Sequence, residues 1–275
     1  MVLTPDPSSA APLPSLPSAL DEMGAVAERL ADRTPAVFLD YDGTLTPIVD
    51  DPMAATLGDD ARRVIRKLAG LCPVAIVSGR DRAVVRDFVA IDELIYAGSH
   101  GFDIVGPDLE HQHPKGIEAQ PALGAAAAEL DDELGSIPGS MVERKRYAVA
   151  VHLRRVDPSE HERIERAVRA AAERHSGLRV TTGKMIFELR PDVDWDKGKA
   201  LRWLLTDLGL DRPDVVPLYI GDDDTDEDAL RELRSGGIGV VVGTEDRPTL
   251  ASYRVADPDE VVELLDRLAD LLQAR

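Results

Sequence analysis

The segment AVFLDYDGTLTP, residues 36–47, joins a strongly apolar run to two closely spaced carboxylates. Apolar and small residues lead directly into Asp40, and a second acid, Asp42, follows two positions later. An apolar run of this kind predicts a buried strand over 36–40. Most Asp-x-Asp-Gly pairs belong to turns or helix caps. Two carboxylates this close also disfavour each other's ionisation. The role of this pair therefore depends on which other polar groups lie near it in the folded chain.

Strand, turn and helix alternate from this segment along much of the chain. Segments such as PVAIVSGR and VVPLYIGD are apolar on both faces, and amphipathic stretches separate them. This alternation predicts an α/β fold in which a parallel sheet is buried between helices. The predicted strands of this core are 36–40, 73–80, 93–101, 215–222 and 237–243. The predicted helices are 19–33, 59–70, 81–89, 195–209, 226–234 and 258–272.

A middle segment breaks the pattern. In its last strand, the apolar residues Met185, Phe187 and Leu189 alternate with Lys184, Glu188 and Arg190, which predicts a sheet with a single apolar face. Two helices are predicted to back this sheet. We therefore expect an inserted α+β domain at 108–191 and a core domain formed by 19–107 and 192–275. The predicted elements of the insertion are helix 118–135, strand 141–154, helix 158–175 and strand 177–191.

Composition excludes several classes of partner. The formal net charge is −19, from 51 acidic and 32 basic residues, so nucleic acid and anionic membranes would be repelled. No apolar stretch reaches the roughly 18–20 residues of a membrane span. Cys72 is the only cysteine, which rules out an intrachain disulfide and favours a cytoplasmic location. Its place at the start of an apolar strand indicates a small core residue.

The N-terminal stretch has its own composition. Five prolines fall within the first seventeen residues, and Lys and Arg are absent from them. A signal peptide would need a basic start and an unbroken apolar run. We expect residues 1–18 to form a disordered lead-in.

Polar groups follow several of the predicted core strands. Ligands of an open parallel sheet bind at the carboxyl ends of its strands, and the acidic run GDDDTDED at 221–228 would arrive there beside Asp40 and Asp42. Two carboxylates about 4 Å apart repel by roughly 4 kcal/mol at an effective dielectric constant near 20. Bound Mg2+ would remove that repulsion, and Lys197, at the start of a helix, would add a compensating positive charge.

This combination of groups suits phosphoryl transfer. Asp40 can attack phosphorus and form an aspartyl phosphate. Asp42 can then protonate the leaving alkoxide and later deprotonate the hydrolytic water. Thr44 and Ser78 offer hydroxyl groups to the phosphoryl oxygens.

The same residues resemble the four motifs of the haloacid-dehalogenase-like phosphohydrolases. That family has a Rossmann-like core with a cap inserted between its second and third motifs, which matches the break at 108–191. The resemblance implies that Asp40, Asp42 (through its carbonyl) and Asp222 ligate Mg2+, and that Asp223 and Asp226 support the ligands. The motifs are Asp40-x-Asp42-Gly43-Thr44, Ser78-Gly79-Arg80, Lys197 and Gly221-Asp222-Asp223-Asp224-Thr225-Asp226.

A narrower resemblance, to the trehalose-6-phosphate phosphatases, covers LDYDGTLTPI, GSHG, VERKRYAVAVHLR, GKMIFELRP, DWDKGKAL and GDDDTDEDAL. It implies hydrolysis of trehalose 6-phosphate to trehalose and phosphate. Lys145 and Arg154 have opposite parity, so a turn near 146–147 is needed for both to face the ligand. The residues that the resemblance implies at the sugar are His100, Glu143, Lys145, Arg154, Lys184 and Glu188.

Three alternatives differ in chemistry or substrate. Another sugar phosphate, such as sucrose 6-phosphate, would leave the core chemistry unchanged. A non-catalytic sugar-phosphate sensor would need neither Asp42 nor a large insertion. An NTP-binding module would need a Gly-rich loop ending in Gly-Lys-Ser/Thr, which is absent. The expected partner is thus a small sugar phosphate, and no pattern in the sequence speaks for or against association with a trehalose-6-phosphate synthase.

Overall fold

The computed structural model describes residues 10–49, 51–183 and 185–275. The chain forms two compact units, of which the second, His111–Asp194, interrupts the first in sequence. The first unit, called the core unit below, consists of two segments. One segment ends at Glu110, and the other begins at Trp195. The predicted domain boundaries, at 108 and 191, fall three residues before those of the inserted unit.

The core unit begins with alternating strands and helices. Most elements match a predicted one to within a few residues. In chain order they are β1 (Ala11–Pro12), α1 (Met23–Leu30), β2 (Thr34–Leu39), α2 (Asp59–Ala69), β3 (Val74–Val77), α3 (Arg82–Val89), β4 (Ile95–Gly98), β5 (Asp103–Gly106) and β6 (Leu109–Gln112).

The inserted unit and the second part of the core unit follow. The inserted unit contains α4 (Pro114–Leu134), β7 (Met141–Arg144), β8 (Val149–His152), α5 (His161–Arg174), β9 (Leu178–Gly183) and β10 (Ile186–Pro191). The chain then continues with α6 (Lys197–Asp207), β11 (Val215–Gly221), α7 (Asp226–Glu232), β12 (Ile238–Val242), β13 (Pro248–Thr249), β14 (Tyr253–Val255) and α8 (Pro258–Gln273).

The core sheet has the predicted α/β architecture. Its strand order is β14-β12-β11-β2-β3-β4-β5-β6, and the pairs from β14 through β4 are parallel. Successive residues of β2 point to opposite faces, so Val37 and Leu39 pack with α1, α2, α3 and α8. Ala36 and Phe38 pack on the other face with α6 and α7. Both faces are therefore apolar, which is why the strands appear as continuous hydrophobic runs in the sequence.

Part of the predicted lead-in is folded. The structure differs from the prediction of disorder over residues 10–18, whereas residues 1–9 lie outside the described part of the chain. Strand β1 pairs with β13, and Leu13 is fully buried in the core. The density of prolines suggested disorder, but a short extended segment needs only one edge and one apolar pocket to become ordered.

The inserted unit consists of a four-stranded sheet and two helices. The strand order is β7-β8-β10-β9, and all three pairs are antiparallel. Helices α4 and α5 cover one face with a core that includes Leu130, Ile164 and Leu189. This is the α+β arrangement that the alternation of apolar and charged residues indicated.

Two strands predicted as single pieces are hairpins. The stretch 141–154 turns between β7 and β8, where the amide of Lys145 donates to the carbonyl of Ala148 at 2.9 Å. The stretch 177–191 turns between β9 and β10, and Met185, predicted on a strand face, lies in that turn with a φ of 63°. Within each arm, apolar and polar residues alternate as they would in one continuous strand, so periodicity alone does not locate the turn.

None of the helices in the described ranges is both long enough and apolar enough to cross a membrane.

Candidate active site

Four neighbouring strands bring the predicted residues to one edge of the core sheet. Strands β11, β2, β3 and β4 are adjacent, and the amide of Asp40 donates to the carbonyl of Ile220 at 2.9 Å. Asp40 therefore follows β2 directly beside the start of the acidic loop after β11. Ser78 follows β3 on the other side of β2, and the turn Ser99–Gly101 follows β4.

Lys197 joins two of the buried acids. Its ammonium donates to Oδ1 of Asp40 at 2.9 Å and to Oδ1 of Asp226 at 2.7 Å. Lys197 is the first residue of α6, and the cap residue Asp196 accepts a hydrogen bond from the amide of Lys199. Burial lowers the pKa of Lys197, but Asp226 and Asp40 outweigh it and hold the pKa well above its usual value. The amine is thus a fixed positive charge.

Asp226 is saturated by donors from the protein. Its Oδ1 also accepts from the hydroxyl of Tyr219 at 2.5 Å. Its Oδ2 accepts from the backbone amides of Asp222 and Asp223, each at 3.0 Å. Tyr219 was not among the predicted residues, since a tyrosine within an apolar strand reads as core. Asp226 therefore holds the backbone of the acidic loop in place through the amides of Asp222 and Asp223.

Asp223 contributes to the same loop in a different way. Its Oδ1 accepts from the amide and the hydroxyl of Thr225, at 2.8 and 2.7 Å. This side chain ties the loop down just before α7 begins at Asp226.

The carboxylate of Asp222 lies against the turn that follows β2. The hydroxyl of Thr44 donates to Oδ1 of Asp222 at 3.3 Å. A Cβ atom added to Gly43 would fall 2.1 Å from Oδ2 of Asp222, and Gly43 has a φ of +80°. Glycine is required here by both the backbone conformation and the close approach of the carboxylate.

Asp40 and Asp222 fit a divalent cation. One carboxylate oxygen each from Asp40, Asp222 and Asp226 lies within 4.8 Å of the other two. Because both oxygens of Asp226 already accept hydrogen bonds, Asp40 and Asp222 are the better placed to ligate. Carboxylate oxygens are the donors that hard cations such as Mg2+ prefer.

Burial shifts the pKa values of these acids upward. It is the main cause of the pKa of Asp40 lying well above the usual value, with Lys197 acting against it. Burial also raises the pKa of Asp222 to about 7 and that of Asp226 to about 6. The neighbouring acids add to each shift. A bound cation would favour the ionised forms.

Asp42 is held by an arginine. Both of its oxygens accept from Arg80, from Nε at 2.6 Å and from Nη2 at 2.5 Å. The guanidinium carbon of Arg80 lies 5.6 Å from the centre of the Tyr41 ring and 5.2 Å from that of Phe88. This bidentate pair was not predicted, although Arg80 belongs to the Ser78-Gly79-Arg80 motif, and it places Arg80 in the site.

Ser78 and His100 lie together at the ends of β3 and β4. The hydroxyl of Ser78 accepts from the amide of Arg80 at 3.1 Å, and the carbonyl of Ser78 accepts from the amide of His100 at 2.8 Å. The imidazole of His100 is 2.9 Å from the point where a Cβ of Gly79 would be. His100 has a φ of 56°, so the tight turn directs its ring across Gly79.

The inserted sheet carries a separate group of charges. The register pairs both Glu143 and Glu188 with Ala150, so the two acids share one face. Glu188 accepts from Nζ of Lys145 at 2.8 Å and from Nε of Arg190 at 2.8 Å.

A histidine joins this group. Nε2 of His152 lies 2.8 Å from Oε2 of Glu143, and this contact lowers the pKa of Glu143. His152 and Arg190 were not among the predicted sugar-binding residues. The alternation already placed Arg190 on the face of Glu188, whereas the position of His152 on that face becomes visible only from the register of the hairpins.

The remaining two predicted residues of the insertion are less well defined. The β7–β8 hairpin supplies the turn needed near 146–147. The alternation of side chains along the two strands then assigns Lys145 and Arg154 to the same face of the sheet. Arg154 is exposed just beyond β8. Lys184 lies outside the described residues. The sugar-binding roles of all these residues stay predictions.

Comparison with known proteins identifies the family. A sequence profile of the trehalose-phosphatases matches residues 38–259. The chain belongs to the trehalose-phosphatase family. The trehalose-phosphate phosphatase of Mycobacterium marinum is 48% identical over 262 residues, which cover 94% of this chain and 67% of that protein. The chain is therefore an enzyme, a phosphoric monoester hydrolase, as predicted.

Solved structures show the same fold. The trehalose-6-phosphate phosphatase of Aspergillus fumigatus is 30% identical with a TM-score of 0.66, over 93% of this chain and 99% of that one. The C-terminal domain of the Candida albicans trehalose-6-phosphate phosphatase reaches a TM-score of 0.76 at 24% identity, over 93% and 98% of the two chains. The haloacid-dehalogenase-like core with an inserted α+β unit is thus confirmed as the fold of this trehalose-phosphatase.

Proposed function

We propose that this chain hydrolyses trehalose 6-phosphate to trehalose and inorganic phosphate through an aspartyl phosphate on Asp40. The observation that carries the proposal is the Asp40 carboxylate, which is buried at the end of β2 with Lys197 on Oδ1. Lys197 keeps one oxygen neutralised, so the other can approach phosphorus. Membership of the trehalose-phosphatase family supports the choice of sugar phosphate.

In the first step, an Asp40 oxygen bonds to phosphorus and the bond from phosphorus to the sugar oxygen breaks. The leaving oxygen takes its proton from the Asp42 carboxyl. Ser78 would donate to a phosphoryl oxygen, because its hydroxyl oxygen already accepts from the amide of Arg80 and its hydrogen is directed elsewhere. Thr44 lies beside Asp222 at the same edge and would assist.

In the second step, the Asp42 carboxylate accepts a proton from water while the water oxygen bonds to phosphorus. The bond between phosphorus and Asp40 then breaks, and inorganic phosphate leaves. Because Arg80 holds both Asp42 oxygens, each proton transfer requires the Asp42 carboxyl to separate from Arg80.

Asp40 and Asp222 would hold Mg2+, together with the backbone carbonyl of Asp42 that the family resemblance implies. Mg2+, when bound, neutralises charge on the carboxylates and on the phosphoryl group. The arrangement of Lys197, Tyr219 and Asp226 supplies the rigid frame for those two ligands.

The inserted unit would act as the cap and bind the disaccharide. Trehalose is a neutral polyol, so it needs charged donors and acceptors that can exchange partners with hydroxyl groups. Glu143, Lys145 and Glu188 provide them on one sheet face, and Arg154 and Lys184 would complete the set of the inserted unit. The single cysteine, Cys72, is buried, which fits a reducing compartment such as the cytoplasm.

Phosphate release tests the proposal. Trehalose 6-phosphate, sucrose 6-phosphate and glucose 6-phosphate are each assayed with Mg2+ and with EDTA. Asp40→Asn should lower kcat by about three orders of magnitude or more. Asp211→Asn, on an exposed loop before β11, serves as the matched control and should leave kcat unchanged. Intact-mass measurement of Asp42→Asn with an aryl phosphate, whose leaving group needs no proton from Asp42, should detect the phosphoenzyme, since its hydrolysis is slowed about 10²–10⁴-fold.

The outcomes separate the competing functions. Release from trehalose 6-phosphate alone, dependent on Mg2+, supports the proposal in full. Release from the other esters instead would keep the core chemistry and remove the assignment of the sugar-binding residues. Binding of a sugar phosphate without release of phosphate from any ester would favour a sensor.

A further inference from the structure

Arg247 lies beside the acidic loop, outside every motif that the family resemblance covers. It sits just before β13, and its side chain is 19% exposed. Nη2 of Arg247 donates to the backbone carbonyl of Asp222 at 2.5 Å, and Nη1 donates to Oε1 of Glu227 at 3.0 Å. One guanidinium group thus contacts both the residue after β11 and the second residue of α7.

Glu227 completes a closed set of bonds behind the loop. Its side chain is 9% exposed, and its Oε2 accepts from the amide of Leu250 at 2.7 Å. Because a buried carboxylate needs partners on both oxygens, Arg247 and the Leu250 amide hold Glu227 in one orientation. The segment around β13 is thereby joined to the start of α7.

The backbone of Asp222 is held at both of its polar groups. Its amide donates to Oδ2 of Asp226, and its carbonyl accepts from Arg247. With both ends of the residue fixed, the carboxylate has little freedom other than to face Gly43 and Thr44. Donation from a rigid planar fork to two acceptors at once is specific to arginine, since a lysine ammonium is a compact charge on a flexible stem without that fixed geometry.

The N-terminal segment holds Arg247 from the other side. The amide of Leu13 donates to the carbonyl of Arg247 at 2.9 Å, and β1 pairs with β13 immediately beside that contact. Farther along, the carbonyl of Leu16 accepts from Nε of Arg254 at 3.1 Å. The ordered part of the predicted lead-in therefore braces the segment from which Arg247 reaches the loop.

We propose that Arg247 is a positioning residue that sets the orientation of the Asp222 carboxylate toward the cation, braced by residues 11–16. The inference rests on the proposed function, in which Asp40 and Asp222 hold Mg2+. Arg247 touches neither the reacting atoms nor the cation, so its loss should weaken Mg2+ binding and leave sugar binding unchanged. Partners behind metal ligands typically contribute about 10–100-fold to metal affinity.

The test is Mg2+ binding to substrate-free protein, by calorimetric titration of Mg2+ alone, compared with the Mg2+ dependence of phosphate release. Arg247→Lys should weaken Mg2+ binding about tenfold or more, with an unchanged KM for the sugar phosphate and nearly full kcat at saturating Mg2+. Arg231→Lys is the matched control, because Arg231 lies on α7 and pairs with Asp228 rather than with Asp222 or the N-terminal segment. It should bind Mg2+ like the wild type.

A second variant covers the case in which the charge beside Glu227 is needed for folding. Arg247→Gln combined with Glu227→Gln leaves no unpaired buried charge, and thermal melting confirms that it is folded. It should show the same loss of Mg2+ affinity. Wild-type Mg2+ affinity in both folded Arg247 variants, or an equal loss in Arg231→Lys, overturns the proposal. A wild-type protein that does not bind Mg2+ would instead contradict the proposed function, and the role of Arg247 would fall with it.

Discussion

The two units keep their charged side chains in different surroundings. In the core unit the side chains of Lys197, Asp40 and Asp226 are 2%, 6% and 1% exposed. On the inserted sheet Glu188 is also buried, at 9%, but Lys145 is 18% and Glu143 44% exposed. Separating a buried pair leaves an uncompensated charge in a poor solvent, whereas water can replace a partner near the surface. The core charges are therefore suited to holding reacting groups rigidly, and those of the insertion to exchanging partners with a ligand.

The largest effect should come from removing the central cation. Lys197→Met keeps most of the side-chain volume but leaves Asp40 and Asp226 buried without their positive partner. We expect the free energy of unfolding to fall by about 3–5 kcal/mol, measured by urea denaturation, and phosphate release to be abolished.

Lys199→Met is the control for this variant. Lys199 lies two residues farther along α6 and pairs with Asp196 at 2.9 Å, with 38% of its side chain exposed. Its replacement should cost no more than about 1 kcal/mol. Similar losses in the two variants would show that the contrast between buried and exposed pairs has been misjudged.

An intermediate effect is expected on the inserted sheet. Glu188→Gln keeps the shape of the side chain but removes the charge between Lys145 and Arg190. Because hydrogen bonds to charged groups contribute about 1.5–3 kcal/mol, KM for trehalose 6-phosphate should rise about tenfold or more while kcat changes little.

Glu162→Gln, at an exposed position of α5, provides the matched control and should leave both constants unchanged. A fall in kcat at unchanged KM for Glu188→Gln would show that this carboxylate takes part in the chemical step. It would contradict the assignment of ligand binding to the charges of the inserted unit.

The remaining prediction concerns the dependence of stability on pH. The pKa of Asp222 is raised to about 7, so the folded, metal-free protein keeps a proton that an unfolded aspartate loses near its usual value of 3.8. The folded state then binds more protons across this window, and stability falls as pH rises from about 4 to about 7.

Asp222→Asn isolates that contribution. In EDTA, the wild type should lose more unfolding free energy than the variant between about pH 5 and about pH 8, and added Mg2+ should reduce the wild type's loss. Denaturant titrations at several pH values measure this difference. Parallel profiles for the two proteins would contradict the assignment of a raised pKa to Asp222.

Several features were accessible from the sequence because they depend on local order along the chain. Apolar runs ending in Asp40, Ser78 and Asp222 predicted adjacent parallel strands, and strands in such a sheet deliver their carboxyl ends to one edge. Lys197 was predicted as a site residue because the clustered acids need a positive charge nearby. The alternation of apolar and charged residues in the insertion likewise predicted its single apolar sheet face.

Other features involve partners that are distant in sequence and carry no local signal. Tyr219 appears as a core residue until the fold turns its hydroxyl to Asp226. Arg247 lies 25 residues beyond Asp222, and Leu13 finds its partner near the other end of the chain. A turn near 146–147 was expected only from the parity of Lys145 and Arg154, and the turn at Met185 was not predicted, because apolar and charged residues alternate within each arm as they would in one strand.

The sequence by itself determined the fold class, the family and the identity of the acids at the strand ends, because these follow from hydrophobic periodicity and from motifs a few residues long. Only the tertiary structure decided which oxygen each donor contacts, that Arg80 holds Asp42, and that the N-terminal segment braces the acidic loop through Arg247. The physical reason is that burial and hydrogen bonding depend on distances between elements, and these are set by packing of the whole core.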